Sequence, residues 1–132
     1  MNEKALNYLG LMRKAGMLEL GETGAGAAVK SGKAELLLIT PDAGENARHR
    51  AESFVNGRRT TLVELPFPRE EFSRHIGKSN TVMAAVTDAG FAAAFMKSLA
   101  EEDTKYAAGA QAAEARLARL RTGKSGTRRN NA

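Results

Sequence analysis

Along the first hundred residues, apolar positions alternate between two rhythms: spacings of three and four, and short unbroken runs. Leu6, Leu9 and Met12 fall on one face at helical spacing, with Ala5 and Tyr8 beside them, which predicts a helix from Glu3 to Lys14. Asn2 stands where an N-cap belongs, Arg13 and Lys14 suit the negative end, and Gly16 suits a left-handed cap. Met17 to Leu20 is a short strand. Gly21-Glu22-Thr23 opens a second helix that runs to Lys30 and stops at Gly32. Glu35 to Thr40 is an apolar run of strand length, ended by Pro41. Asn46 to Val55 reads as a helix closed by Asn56-Gly57.

Thr60 to Leu65 is rich in β-branched residues and reads as a strand, broken by Pro66 and Pro68. Arg69 to Ile76 is a short helix with Glu70 and Glu71 in its first turn. Thr81 to Thr87 is a strand with two buried faces, and Asp88 caps a helix that should bury Phe91, Phe95 and Leu99. Strand and helix alternate with short links. This pattern predicts an α/β domain, layered with helices on both faces of one sheet. We expect that domain to span residues 1–102.

Residues 103–132 differ in kind. Glu101 to Arg121 is rich in Ala, Glu and Arg, with only Tyr106, Leu117 and Leu120 as sizeable apolar residues and Gly109 as a weak point. It is expected to be a helical extension packed in part. From Thr122 to Ala132 the composition of Gly, Ser, Asn, Lys and Arg predicts disorder in isolation. The charge follows the same division. Residues 103–132 hold seven basic and two acidic residues, whereas residues 1–102 hold thirteen of each, so the whole net charge of +5 lies in the tail. A neutral body with a basic tail points to a polyanionic partner.

Several chemistries drop out. The chain has no cysteine, which removes disulfides, thiolate zinc sites and a thiol nucleophile. His49 and His75 lie on different predicted helices with no second ligand at metal spacing, so no metal is expected. Glu70-Glu71 and Glu101-Glu102 are neighbours in sequence and point apart on a helix, so neither makes an acid/base pair. Gly21-Glu22-Thr23-Gly24-Ala25-Gly26 stands where a phosphate loop belongs, but Val29 occupies the position of the third dinucleotide glycine. Gly32-Lys33-Ala34 lacks the Walker hydroxyl, and no nucleotide cofactor or small-molecule substrate is expected. What remains is an anion near free amides at a helix start, a role that an RNA backbone fills as well as a nucleotide. Few aromatics are present, and Phe54, Phe72, Phe91 and Phe95 sit at apolar positions. A stacking platform is therefore not expected, and RNA would be held by a helix end and loops. The apolar runs are far shorter than the roughly 20 residues of a membrane span, and no apolar signal segment follows Met1. A soluble cytoplasmic protein is expected.

Four motifs carry a family resemblance. Lys30-Ser31-Gly32-Lys33-Ala34-Glu35, the strand Leu36 to Ile39 and Thr40-Pro41-Asp42-Ala43 form the first. His75-Ile76-Gly77-Lys78 is the second, and Val82 to Thr87 with Asp88-Ala89-Gly90-Phe91-Ala92 is the third. The fourth is Leu9-Gly10-Leu11-Met12-Arg13-Lys14-Ala15-Gly16-Met17-Leu18. From about Leu6 to Leu99 the chain resembles the ribosomal protein L-seven-Ae superfamily, in particular its bacterial YlxQ-type branch. The resemblance implies a three-layer α-β-α sandwich around a four-stranded mixed sheet. It also implies a non-enzymatic, ribonucleoprotein-type role: binding of kink-turn RNA with sheared G·A pairs, in the ribosome or translation machinery.

In that family the start of the second helix and the loop before the last strand grip the RNA. On this chain these are Gly21 to Ala27 and Gly77 to Thr81. The implied RNA-binding residues are Gly21, Glu22, Thr23, Gly24, Ala27, Gly77, Lys78 and Ser79, with Lys30 and Lys33 meeting phosphates. Typical kink-turn binders carry Asn-Glu-x-x-Lys at the helix start, where this chain has Thr23-Gly24-x-x-Ala27. The missing carboxylate and cation shift the expected contacts to backbone amides, the Thr23 hydroxyl and the basic tail. The alternative is a protein-interaction module on the same fold, as in the Gadd-type members of the superfamily, with the tail helix docking the partner.

Overall fold

Four short strands build one mixed sheet in the order β1-β4-β2-β3, where β1 is Leu18–Leu20, β2 Leu36–Ile39, β3 Thr61–Glu64 and β4 Met83–Val86. The structure is a computed structural model that describes the backbone of residues 2–131 and the side chains of residues 2–122. The helices are α1 (Glu3–Lys14), α2 (Gly21–Lys30), α3 (Glu45–Val55), α4 (Arg69–Ile76), α5 (Ala89–Glu102) and α6 (Ala107–Asn131). A 3-10 turn, Thr104–Tyr106, joins the last two.

β4 pairs antiparallel with both β1 and β2, placing Leu36 and Leu18 opposite Val86 from either side. β2 and β3 are parallel, which requires the crossover that α3 supplies. The strand period of two then sorts the apolar run between two cores. Leu36, Leu38, Ala84 and Val86 face α1, α4 and α5, where Leu9, Phe72, Phe95 and Leu99 are fully buried. Leu37, Ile39, Met83 and Ala85 face α2 and α3 through Ala25, Val29 and Ala51. Helices therefore cover both faces of the sheet, which is the α-β-α sandwich. β2 and β4 are buried throughout and read as continuous apolar runs for that reason. β3, at the edge, exposes Thr61 and Glu64.

The helix ends follow local chemistry, with differences from the sequence expectations. Asp88 caps α5 by accepting the Phe91 amide at 2.8 Å. Gly16, Gly32, Gly57 and Gly77 all take positive φ just after helices. Asn2 occupies the N-cap of α1 but makes no side-chain cap bond; its carbonyl accepts from Leu6 instead. Phe54 and Phe91 are only half-buried, because they sit at the margins of the two cores. Phe67, flanked by two prolines, is buried to the same degree as the core strands.

The tail begins with a break. Asp103 turns extended, and its side chain accepts the Lys105 amide at 3.0 Å. Tyr106 then drops into the core and donates its hydroxyl to the Glu64 carbonyl at 2.6 Å. Ala110 follows it into the same cluster. Gly109 faces α5, where a Cβ would stand 2.7 Å from Met96 Cε, the flexible end of that side chain. Arg116 Nε reaches Glu35 at 3.1 Å. Disorder was expected from Thr122 to Ala132; the backbone is assigned to α6 as far as Asn131, and from residue 123 onward the side chains lie outside the described residues.

Candidate nucleic-acid interface

At the end of the sheet where β1 stops and β4 begins, three chain segments meet. β1 passes into α2 without a loop residue, and the turn is made by Gly21 at φ +79°. Only glycine adopts this conformation without strain. The N-cap residue, Leu20, has no side chain able to cap the helix, so no side chain satisfies the first-turn amides. A Cβ on Gly21 would lie 3.9 Å from Lys78 Nζ. The Lys78 ammonium therefore sits over the open start of α2.

The loop that carries Lys78 is held by its own hydrogen bonds. Gly77 ends α4 in the left-handed region, and Lys78 N donates back to Ser73 O at 3.2 Å. Ser73 Oγ accepts the Thr81 amide at 2.9 Å, and Thr81 Oγ1 donates to Lys78 O at 3.1 Å. Asn80 takes φ +54°, and Arg69 Nη1 donates to its side chain at 3.2 Å. Arg69 also pairs with Asp42 at 3.4 Å, tying this loop to the β2–α3 connection. The result is a fixed rim around a cleft of about 400 Å³, lined by Gly21, Glu22, Arg50, Lys78, Ser79 and Asn80. Arg50 from α3 stands 3.6 Å from Glu22, so the one carboxylate among these six is partnered and the two cations leave an excess positive charge.

Sequence reasoning named ten residues, and the fold divides them. Gly21, Glu22, Lys78 and Ser79 line the cleft, and Gly77 sets the turn beside it. Thr23 and Ala27 are exposed on α2, and Gly24 packs near Glu19. Lys30 and Lys33 are not at this rim. They lie at and beyond the far end of a ten-residue helix, about 15 Å away. Lys30 Nζ lies 5.7 Å from the Phe54 ring centroid. The cleft also contains Arg50, which the motif-based expectation did not include, and Asn80, which lay within its Gly77 to Thr81 loop but was not singled out. Ser79-Asn80 before a strand is a readable turn signal. The approach of Arg50 depends on how α3 crosses α2 and has no local signature. Among the described residues no group of three or more His, Asp or Glu could hold a metal, and no helix is long and apolar enough to cross a membrane.

This α-β-α sandwich around a four-stranded mixed sheet is the architecture that the L-seven-Ae-type resemblance implied. No family model matches the chain. The RNA-binding protein YlxQ of Enterococcus faecium is 33% identical over 90 residues, which cover 68% of this chain and 85% of that protein. The RNA-binding protein YlxQ of Bacillus subtilis is 32% identical over 88 residues, covering 64% and 83%. The chain belongs to the YlxQ family. Both relatives are named as RNA-binding proteins. Among solved structures, a protein of unknown function from Bacillus halodurans superposes with a TM-score of 0.67 at 28% identity, over 72% of this chain and 95% of that one. The Giardia lamblia 15.5 kD RNA-binding protein shares the fold, with a TM-score of 0.60 at 18% identity over 74% and 83%.

Proposed function

We propose that this chain is a non-enzymatic RNA-binding protein that holds structured RNA at the Gly21–Lys78 cleft. The observation that carries this is the Lys78 ammonium placed over the uncapped, positive-φ start of α2. A phosphate there meets amide donors, the positive end of the helix dipole and a cation at once. The YlxQ names of the relatives support the same partner. Thr23 is exposed beside the cleft and offers a hydroxyl that both donates and accepts. Gly24 and Ala27 offer no polar side chain, so base-edge contacts run through Thr23, Ser79, Asn80 and the backbone.

The RNA class we assign is a kink-turn, whose sharp bend presents phosphates and G·A edges together to such a rim, with a place on the ribosome or translation machinery in the cytoplasm. A protein-interaction role for the tail helix has less support, because Tyr106 and Ala110 already commit part of its surface to the body.

Fluorescence anisotropy of the full chain tests the proposal. The probes are a kink-turn RNA and a control in which Watson–Crick pairs replace the G·A pairs. We expect a preference of about tenfold or more for the kink-turn, or about 1.4 kcal/mol. Lys78→Ala should weaken binding and lower the log–log salt slope by about one. Equal binding to both RNAs, unchanged by Lys78→Ala, refutes a site at this cleft. No binding to either favours the interaction module.

A further inference from the structure

Basic residues that are scattered in sequence converge at the opposite end of the sheet. Lys30 and Lys33 lie at and beyond the end of α2, Arg58 and Arg59 lie between α3 and β3, and Arg116 and Arg119 come from α6. Two of them are anchored by backbone. Arg58 Nη1 donates to the Lys30 carbonyl at 3.1 Å, and Arg59 Nη2 to the Gly32 carbonyl at 2.8 Å. Carbonyl partners orient a guanidinium without cancelling its charge, and five N–H groups leave further donors free. Glu35 is the carboxylate among them. Its side chain is 10% exposed and is held between Arg59 Nη1 at 3.0 Å and Arg116 Nε at 3.1 Å. Arg59, Arg116 and Arg119 line a cleft of about 130 Å³, whose apolar lining is Leu36, alanines and Gly109. Lys33 and Arg119 are exposed and have no partner among the described residues.

We propose that this end is a second RNA-binding face that takes the phosphate backbone of a duplex segment without reading its sequence. The choice of RNA rests on the function proposed above. Six cations lie at this end, only two of them paired with Glu35, and they are spread over three segments rather than gathered about a single ion. Such an arrangement fits a backbone track. The two faces stand about the length of α2 apart, roughly 15 Å. One tight RNA bend at the Gly21–Lys78 cleft does not reach this face; a flanking helix or a second RNA does. In this arrangement α6 contributes to binding as a docked helix whose Arg116 and Arg119 complete the face.

The test titrates the full chain with a blunt RNA duplex of about 16 base pairs, a length at which shape-reading proteins engage duplex RNA. Lys33→Ala combined with Arg119→Ala removes two exposed cations that hold nothing in place. We expect that double variant to weaken duplex binding at least fivefold at low salt. Its log–log salt slope should fall by up to about two, near 0.9 for each phosphate no longer neutralised. Lys78→Ala should leave duplex binding unchanged, while the double variant should keep the kink-turn preference of the parent. Unchanged duplex affinity and slope in the double variant overturn the second face, as does a parent chain that does not bind the duplex. Failure of the first site appears separately, as the loss of kink-turn preference in the parent.

Discussion

Two glycines show how a residue's surroundings set its role. Gly26 lies on the inner side of α2, and a Cβ there would stand 2.5 Å from Phe54 Cζ. The obstacle is a rigid ring, so Gly26→Ala forces α2 and α3 apart. It should cost about 1–3 kcal/mol, in the range of overpacked cores. Gly109 faces a different neighbour, the flexible tip of Met96 at 2.7 Å. There the methionine can turn aside, and the helix gains up to about 1 kcal/mol from replacing glycine by alanine. Gly109→Ala should therefore be neutral to stabilising. Urea denaturation of the two variants beside the parent checks both signs. A stabilised Gly26→Ala, or a Gly109→Ala destabilised by more than about 1 kcal/mol, would contradict the packing described.

At the scale of elements, the turn Thr104–Tyr106 decides how α6 meets the body. Burial pushes the Tyr106 hydroxyl pKa up to about 12, with the Asp103 and Glu64 charges acting in the same direction. The sign of the linkage follows. The folded state favours the neutral phenol, so its contribution is complete below the ordinary value near 10 and is lost as pH rises from there towards 12. The parent should lose stability across that window more steeply than Tyr106→Phe, which has no proton to release. Below about pH 9, Tyr106→Phe should be less stable by about 0.5–1.5 kcal/mol, the net contribution of the bond to Glu64 O. Thermal melts at about pH 8 and about pH 11, on either side of the ordinary phenol pKa, separate the two effects. Parallel pH profiles for parent and variant would remove Tyr106 as their source.

For the whole molecule, the position of a truncation matters more than its length. A chain ending at Glu102 removes Tyr106 and Ala110 from the core cluster they share with Met96 and Leu99. It should melt markedly lower, by the equivalent of about 2 kcal/mol or more, and bind a hydrophobic dye. A chain ending at Thr122 keeps every described side-chain contact and should melt with the parent. Calorimetry on the pair decides the matter; equal melting temperatures for the Glu102 chain and the parent would show that α6 adds nothing to the core. RNA affinity is best compared in chains that retain α6, since loss of the helix changes fold and charge together.

Periodicity and end chemistry were enough to place nearly every element. The amphipathic spacing of α1, the two apolar runs of β2 and β4, and the glycines that close helices are local properties, and the chain reads them out locally. The family motifs paired the Gly21 and Lys78 segments, and the two residues do meet at one cleft. Other features depended on how distant segments pack. Lys30 and Lys33 share α2 with Gly21 but lie at and beyond its opposite end, since a ten-residue helix separates its ends by about 15 Å. Arg50 joins the cleft only because α3 crosses α2. Gly109, a weak point by helix propensity, lies against the movable tip of Met96, a neighbour that only the packing of α6 on α5 supplies. Tyr106, one apolar residue in a polar tail, anchors that tail through a carbonyl 42 residues earlier in sequence. Local sequence determines which segments curl or extend and where they stop, because those choices rest on interactions within a few residues. Which charges face one another is decided by packing between segments remote in sequence, and that requires the tertiary structure.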